Sequence, residues 1–197
     1  GFELLSVIAG LRLPLVLVTV SRALAHPITL APDHTHALSA RDSGFLQFHC
    51  ETSQEVLDSI LIAYRLAEDA KILLPAIVNL DGFYLSFTRE SVELPEAGEV
   101  KEFLPSFTPA YPILSNPQPA ALGAAVLDGS LYSYFKHQMH HASDNALGLY
   151  RTIAGEFAAR FGRRHDIVEE FMLDDADYVF VMTNSFASLG TAEAKPM

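Results

Sequence analysis

Two apolar runs of strand length, with a capped helix between them, constrain the fold of this chain more than any other feature. Residues 15–20 (LVLVTV) are apolar on both faces with β-branched residues at alternate positions, and residues 73–80 (LLPAIVNL) are a second apolar run. Thr52 and Glu55 form a capping box that starts a helix running to about Ala70. Buried strands joined through a helix are typical of a parallel sheet, so the sequence predicts an α/β core in which both runs are buried strands.

The other segments are assigned from turn residues and periodicity. The expected elements, in chain order, are a helix ending near Gly10, a loop over 21–44, a short strand over Phe45–His49, an extended stretch over 95–119, a long amphipathic helix over Leu131–Phe161 and a last strand over Tyr178–Met182. The extended stretch follows from its six prolines, because proline fixes φ and removes a hydrogen-bond donor.

Composition narrows the classes of function. The chain has 13 basic and 24 acidic residues, a net charge of −11, which disfavours a general nucleic-acid binder. Its one cysteine, Cys50, excludes an internal disulfide and an all-cysteine iron–sulfur cluster held by this chain alone, and fits a reducing, cytoplasmic setting. We expect no membrane span, because Gly10, Arg12 and Pro14 interrupt an apolar run that would need about 20 residues.

Both ends of the sequence look abrupt. An apolar helix opens the chain at Gly1, and only a short tail follows the last expected strand. One strand and a tail cannot bury two faces of a sheet, so we expect a piece of a longer polypeptide, or a subunit completed by a partner.

Polar residues follow both buried runs. Parallel sheets bind ligands beyond the carboxyl ends of their strands, where the first run gives Arg22 and the second gives Asp81-Gly82-Phe83. If the strands are neighbours, these residues share one edge. The Arg22 guanidinium could then grip a ligand carboxylate in a bidentate manner, or it could simply pair with Asp33 or Asp81.

Histidines offer weaker candidates. Asp33 with His34 and His36 could ligate a metal, or could lie in a solvated loop. Three histidines of the long helix could form a metal face or an exposed face, and the absence of a neighbouring carboxylate favours the exposed face; they are His137, His140 and His141. We expect no metal at either cluster.

Other motifs are ambiguous or missing. His49-Cys50 could be a thiolate pair, although a buried structural cysteine is more usual. The sequence contains no GxGxxG, GxxxxGK[ST], GxSxG or HExxH motif, which removes the main support for nucleotide-phosphate binding, hydrolase and zincin functions.

Several runs together resemble one family. VTVSRAL, DHTHALSARDSGFLQF, QEVLDSILIAYRLAED and LLPAIVNLDGF, followed by a proline-rich stretch, FKHQMHHASDNA and FGRRHDIVEEF, resemble the alpha subunit of the pyruvate (2-oxoacid):ferredoxin oxidoreductases. The similarity covers nearly the whole chain.

This resemblance implies a fold and its divisions. The fold would be α/β, a three-layer parallel sheet of the thiamin-diphosphate-binding type. Residues 1–94 would be a partial pyrimidine-binding domain without its upstream part, 95–128 a proline-rich extended arm and 129–165 a long helix. Residues 166–197 would begin a second, truncated α/β domain like the C-terminal domain of transketolase.

The resemblance also implies an activity and partners. The activity is oxidative decarboxylation of pyruvate or a related 2-oxoacid to acyl-CoA, with electrons passed to ferredoxin. Thiamin diphosphate would be shared with a diphosphate-binding beta subunit, while Mg²⁺ and iron–sulfur clusters would lie on partner domains or subunits. Further partners would be gamma and ferredoxin-like delta subunits, ferredoxin and coenzyme A. Pyruvate, branched 2-oxoacids, 2-oxoglutarate and oxalate all stay open as substrates.

Site residues follow from the same resemblance. Arg22 matches the family's arginine that holds the 2-oxoacid carboxylate. The residues expected to line the same pocket are Asp33, His34, Arg41, Asp42, Gly44, Asp81, Gly82 and Phe83. The family's substrate-contacting threonine and its catalytic glutamate, which protonates the aminopyrimidine ring, are absent from this chain, and His36 stands where the family usually has an acidic residue. The chain alone is therefore expected to be inactive, and a non-catalytic binding or assembly module that kept the fold is the alternative.

Overall fold

A computed structural model of the chain describes residues 1–109, 117, 119, 121–123 and 125–194. Three strands and six helices are found in these ranges. They are α1 (Phe2–Gly10), β1 (Val16–Ser21), α2 (Thr35–Ser39), β2 (Leu46–His49), α3 (Ser53–Ala67), β3 (Ala76–Asp81), α4 (Ala97–Phe103), α5 (Gly129–Phe161) and α6 (Ser185–Ala194). A 3₁₀ turn, Arg41–Ser43, precedes β2.

The three strands form one parallel sheet in the order β1-β3-β2. In its register Val16 and Leu46 both pair with Ala76, and Ser21 pairs with Asp81. The predicted parallel α/β core is therefore confirmed, and β3 is its central strand.

Helices cover the sheet on both faces, giving three layers. On one face, α3 packs against Cys50, Ala76 and Val78. On the other face, α1 packs against Phe45 and Ile77. The long helix α5 completes the core by packing on α3 through side chains such as Phe157. The layered arrangement follows from β3, whose apolar residues on both faces need a cover.

The first apolar run is a strand, as predicted, but it is not buried on both faces. It forms an edge of the described sheet, because only β3 pairs with it. Helix α3 covers Val16, whereas Val18 and Val20 stay 45% and 49% exposed. The second run, in contrast, is buried along both faces of β3 as expected.

The capping box before α3 is half confirmed. Thr52 is the N-cap, and its side-chain oxygen accepts a hydrogen bond from the Glu55 amide at 3.1 Å. The Glu55 carboxylate does not return to Thr52 but accepts from the Glu51 amide at 2.6 Å.

The expected loop over 21–44 contains α2 and the 3₁₀ turn, and the extended arm over 95–128 contains α4. The arm prediction is wrong for Ala97–Phe103 because no proline lies between Pro95 and Pro105, and a capping box of Glu96 and Glu99 starts a helix there. The rest of the predicted arm falls partly on residues 110–116, 118, 120 and 124, outside the described residues.

The predicted last strand, Tyr178–Met182, is also wrong. This segment is irregular, and Tyr178 and Val181 are 86% and 90% exposed. A strand needs a hydrogen-bonded neighbour, and this segment pairs with none of the three strands of the described sheet. The division of the chain at 166, into a second domain, stays a prediction.

Candidate functional site

The carboxyl ends of the three strands meet at one edge of the sheet, which we call the carboxyl rim: Ser21–Arg22, His49–Cys50 and Asp81–Gly82. Strand pairing places Ser21 beside Asp81, and the Gly82 amide donates to the Ser21 carbonyl at 2.7 Å. As predicted, the two polar strand ends are neighbours. Ligands of parallel α/β sheets bind at such an edge.

A buried hydrogen-bond network underlies the carboxyl rim. Asn79, fully buried in β3, accepts with its side-chain oxygen from the hydroxyls of Thr19 (2.9 Å) and Ser21. The side-chain nitrogen of the buried Asn184 donates to the backbone carbonyls of Cys50 and Asn79 at 3.2 and 3.1 Å. These bonds satisfy buried polar groups and fix the relative positions of the strand ends.

Asp81 accepts hydrogen bonds on both of its carboxylate oxygens at the carboxyl rim. It is fully buried, and its Oδ1 accepts a hydrogen bond from His34 Nε2 at 2.6 Å. Its Oδ2 accepts from the amide of Ser185, at 2.9 Å, and from the Ser185 hydroxyl. Asp81 therefore holds the loop before α2 on one side and the first residue of α6 on the other.

Arg22 lies on the carboxyl rim with an exposed side chain. Neither Asp33 nor Asp81 forms the ion pair that the structural alternative required: within the described part of the chain, Arg22 makes no salt bridge and no side-chain hydrogen bond. Asp33 instead accepts from the Thr35 amide at 2.7 Å, and hydrogen bonds from Thr35 lower the pKa of Asp33. The guanidinium is thus available to a ligand.

Gly82 explains how Arg22 comes so close to β3. A Cβ built on Gly82 would lie 2.8 Å from the Ser21 carbonyl oxygen and 3.0 Å from Arg22 Cβ. Contacts this short are not tolerated between non-bonded atoms, so the close approach of the two strand ends requires glycine.

Phe83 extends the carboxyl rim as an exposed aromatic surface. Its backbone has a positive φ of 67°, and its ring, 48% exposed, stacks on Phe87 with 5.5 Å between centroids. A bulky residue in this region of φ is unusual and is often found where a ligand binds.

Three of the expected pocket residues lie elsewhere. Arg41, Asp42 and Gly44 precede β2, so they lie where the strands begin, at the end of the sheet opposite to the carboxyl rim. Arg41 and Asp42 pair with each other at 3.3 Å and are exposed. Gly44, with φ of 99°, lets Met139 pack closely, since a Cβ there would lie 2.6 Å from the Met139 methyl carbon. The structure does not bring these three residues to Arg22.

The loop histidines are engaged in hydrogen bonds. His34 bonds Asp81, and His36 Nε2 lies 3.2 Å from the Ser21 hydroxyl. Within the described ranges, no three His, Cys, Asp or Glu side chains come together in a group that could hold a metal ion.

The histidines of α5, His137, His140 and His141, are exposed as predicted. One premise was wrong, because His140 has a neighbouring carboxylate, that of Asp144 at 3.5 Å.

His49 and Cys50 do not form a thiolate pair. Cys50 is fully buried, and burial raises the pKa of its thiol to about 12. His49 Nδ1 lies 3.2 Å from the Asn184 side-chain oxygen and 3.3 Å from the Asn79 side-chain nitrogen, and burial lowers the pKa of His49. Cys50 is thus a structural residue, as favoured from sequence.

Sequence reasoning missed two polar contacts that cross more than 100 residues. One is the docking of Asn184 and Ser185 on the carboxyl rim. The other is a cluster around Asp58, which is buried in α3 and bound by Arg163 and His165 after the end of α5. No local pattern signals such contacts, although the buried face of α3 contains Asp58 at a position where an apolar residue is usual.

Asp58 has its carboxylate satisfied on both oxygens. Arg163 donates Nε to Oδ2 at 2.7 Å and Nη2 to Oδ1 at 2.9 Å, while His165 Nε2 lies 2.9 Å from Oδ2. Burial alone would raise the pKa of Asp58, but hydrogen bonds from His165, Arg163 and Gln54, with the charge of Arg163, lower it to about 2. The cluster fastens residues 163–165 to α3.

Among the described residues, no helix combines the length and the apolar character that crossing a bilayer requires.

Comparison with known proteins identifies one matching family model and several relatives. A model of the family described as pyruvate flavodoxin/ferredoxin oxidoreductase, thiamine diphosphate-binding, matches residues 1–153. The chain is 38% identical over 185 residues to the pyruvate synthase subunit PorA of Pyrococcus abyssi, covering 94% of this chain and 47% of the relative. It is 40% identical over 186 residues to PorA of Thermotoga maritima, with 93% and 46% covered.

A relative that is named for a different substrate has the same sequence identity to this chain. The ketoisovalerate oxidoreductase subunit VorA of Pyrococcus abyssi is 38% identical over 192 residues, covering 97% of this chain and 47% of VorA. The chain thus spans about half the length of the curated relatives it matches.

Proposed function

The chain belongs to the pyruvate flavodoxin/ferredoxin oxidoreductase family, of which it carries the thiamine diphosphate-binding domain, and on that premise we propose that it recognises the carboxylate of a 2-oxoacid. The observation that carries the proposal is the exposed Arg22 on the carboxyl rim, with no ion pair to any described residue. A guanidinium that is left without a carboxylate partner beside buried Asp81 is suited to bind one from a ligand.

The reaction that we propose is oxidative decarboxylation of the 2-oxoacid within a larger assembly. Relatives named pyruvate synthase and ketoisovalerate oxidoreductase support a 2-oxoacid substrate that is either small or branched. Electrons would pass to ferredoxin through iron–sulfur clusters on partner subunits, and coenzyme A would take the acyl group. The single cysteine supports placing those clusters on the partners.

The described residues fit a planar ring of the cofactor, but they do not fit its diphosphate with Mg²⁺. The exposed ring of Phe83 at the carboxyl rim offers an aromatic platform of the kind that packs on a planar ring. A diphosphate with Mg²⁺ needs clustered oxygen ligands, and the described residues contain no metal-binding group of three. We therefore propose that the diphosphate and Mg²⁺ are held by a partner domain or subunit.

This chain's own contribution is binding and orientation. The planar fork of Arg22 can donate two parallel hydrogen bonds to the substrate carboxylate, which sets the direction of the adjacent keto carbon. When bound, thiamine diphosphate supplies the stabilisation of negative charge that decarboxylation requires. Phe83 and Phe87, which stack on each other and are both exposed, would offer the substrate an apolar surface on that side.

The test is Arg22→Lys in the assembled complex, which keeps the charge and removes the fork. We expect kcat/KM for the 2-oxoacid to fall by a factor that corresponds to a loss of roughly 1–3 kcal/mol of transition-state stabilisation. The melting temperature should not change. Arg41→Lys is the matched control, because Arg41 is exposed at the opposite end of the sheet. Wild-type kinetics in Arg22→Lys would contradict the proposal, and would favour a binding or assembly module without catalysis.

A further inference from the structure

Helix α5 turns one face to the core and leaves the opposite face open. Its inward residues Ala146, Ile153 and Phe157 are buried. A helix turns once every 3.6 residues, so the residues on the far side of each turn form an outer face. The residues of this outer face, all exposed in the described part of the chain, are Ser130, Tyr134, His137, His141, Asp144, Gly148, Thr152, Gly155 and Ala159. The outer face runs along a 33-residue helix, and no described element covers it.

The central side chains of the outer face are large in the N-terminal half of α5 and small in the C-terminal half. The large set has spacings of three and four residues and the small set has spacings of four and three; they are Tyr134, His137 and His141, and Gly148, Thr152 and Gly155. A Cβ built on Gly148 or Gly155 meets open space within the described part of the chain. Because the two sets of spacings mirror each other, an antiparallel copy of α5 would set each large side chain opposite a small residue.

Antiparallel pairing of two copies of α5 therefore has one matching register. The opposing residues of the two copies are Tyr134 with Gly155, His137 with Thr152, and His141 with Gly148. Glycine lets helices approach closely, and large side chains opposite small ones fill the space between them. His137 and His141 already stack, with 6.4 Å between ring centroids and 16° between ring planes, so they present a flat surface. The two-fold axis would pass beside Asp144, whose carboxylate has His140 Nε2 at 3.5 Å as a counter-group.

The first turns of α5, residues 129–138, form an aromatic arm that is exposed all round. Its large apolar side chains, 46% to 56% exposed, are Leu131, Tyr132, Tyr134 and Phe135. Clustered apolar side chains of this kind mark a surface that meets a partner. Residues 129–143 also contain Lys136 and three histidines but no acidic residue, whereas the whole chain has a net charge of −11. The charge of the arm therefore suits contact with a second copy of this acidic chain.

A cleft near the other end of α5 can receive the arm. It has a volume of about 440 Å³ and is lined by Arg65, Glu102, Phe103, Glu156, Ala159 and Arg160. In the matching register Ser130 of one copy lies opposite Ala159 of the other, which brings Leu131 and Tyr132 to the cleft. The guanidinium of Arg65, 5.3 Å from the centre of the Phe103 ring, already packs on one aromatic ring there. Arginine side chains of this kind can stack on further aromatic rings.

We propose that α5 pairs antiparallel with α5 of a second copy of this chain, about a two-fold axis near Asn145, and that each aromatic arm rests on the cleft of the other copy. A self-complementary surface of this kind closes as a dimer. The inference is independent of the proposed function. A helix of this length gives a contact strip of about 50 Å by about 10 Å, or roughly 500 Å² per copy. Stable interfaces bury about 800 Å² per partner, so the arms must supply the remainder.

Cysteine cross-linking of the purified 197-residue chain tests the register. The native Cys50 is fully buried and gives little background. His141→Cys combined with Gly148→Cys should form a reducible dimer under mild oxidation at least about 10-fold faster than the control pair. The matched control is His141→Cys combined with Gly155→Cys, which lies on the same face but seven residues, about 10 Å, out of register. Each single variant is out of register by the same distance. Equal cross-linking of the two pairs would contradict the proposal.

A second experiment fills the gap at Gly148. Sedimentation equilibrium should show the wild-type chain as a dimer, and Gly148→Leu should raise the dimer Kd at least about 100-fold, because leucine occupies the space that His141 of the other copy needs. An alanine in such a gap adds only a methyl group and should be tolerated. Gly10→Leu is the matched control, since Gly10 is exposed in α1 and also faces open space. Circular dichroism should show equal helix content in all three proteins.

The arms are tested by Tyr132→Ser, which should also raise the dimer Kd, at least about 10-fold, since it removes a ring from the cleft. A wild-type chain that stays monomeric at about 100 μM would overturn the proposal. The outer face would then be covered by a different subunit or by a further segment of a longer chain. A dimer that Gly148→Leu and Tyr132→Ser both leave intact would overturn it as well, because the copies would meet through another surface.

Discussion

The buried Asp58 cluster should make the stability of this chain depend on one carboxylate. Asp58 is fully buried, and Arg163 binds it through two hydrogen bonds of 2.7 and 2.9 Å, while Arg163 itself keeps 22% of its side chain exposed. The change Asp58→Asn keeps the shape and removes the charge, which leaves Arg163 and His165 without their anion. Removing one partner of a buried ion pair costs about 3–5 kcal/mol. Because Arg163 still reaches water, we expect the lower end, about 3 kcal/mol.

The pH dependence of stability gives a second value for how much the charge of Asp58 stabilises the folded state. The pKa of Asp58 is lowered from 3.8 to about 2, and each pKa unit corresponds to about 1.4 kcal/mol, so the shift contributes about 2 kcal/mol. A depressed carboxyl pKa stabilises the folded state above the unfolded pKa, and this stabilisation is lost as the pH falls through the folded pKa. The stability difference between wild type and Asp58→Asn should therefore shrink by about 2 kcal/mol between pH 5 and pH 2.

Urea unfolding of both proteins at a series of pH values, followed by circular dichroism, measures this difference directly. Asp42→Asn is the matched control, because the Arg41–Asp42 pair is exposed and should contribute less than about 1 kcal/mol at any pH. Taking the difference cancels the titration of the other carboxylates. A difference below about 1 kcal/mol at pH 7, or one that does not change with pH, would refute the assignment of Asp58 as a buried, charge-stabilised group.

Two further experiments test the burial of Cys50 and the close packing at Gly82. Cys50 should react with an aromatic disulfide reagent at pH 8 only after unfolding by denaturant, because it is buried and its thiol pKa is raised to about 12; rapid reaction of the folded protein would show that the strand end opens. Gly82→Ala should lower the free energy of unfolding by about 1–3 kcal/mol, since its methyl group would lie 2.8 Å from the Ser21 carbonyl oxygen. Gly155→Ala, in open space within α5, should instead stabilise by up to about 1 kcal/mol, and equal effects of the two alanines would contradict the packing argument.

The candidate site was predicted from the sequence only where local pattern was sufficient. Two apolar runs that end in Ser21–Arg22 and Asp81–Gly82 predicted a shared edge, and the parallel pairing of β1 and β3 confirms it. Whether Arg22 forms an ion pair was left open by the sequence, because charge pairing depends on which loops fold over the sheet. The resemblance gave Arg41 as lining the same pocket as Arg22, whereas the structure places Arg41 where β2 begins, at the opposite end of the sheet.

Burial was harder to predict than strand position. Val18 and Val20 have the composition of a central strand, yet they lie on an edge that α3 leaves uncovered. Tyr178–Met182 has strong β propensity but finds no neighbouring strand in the described sheet. Propensity reports what a segment prefers, whereas a strand also requires a partner for its backbone hydrogen bonds.

The sequence by itself determined the elements that depend on near neighbours. Hydrophobic period and the Thr52 cap are local, so they predicted α3, α5 and the positions of β1 and β3. Only the tertiary structure decided which groups meet across long separations, as with His34 on Asp81, Ser185 on Asp81 and Arg163 on Asp58. Those contacts are selected by the packing of whole layers and by the need to satisfy every buried charge, and neither condition is written in a run of ten residues.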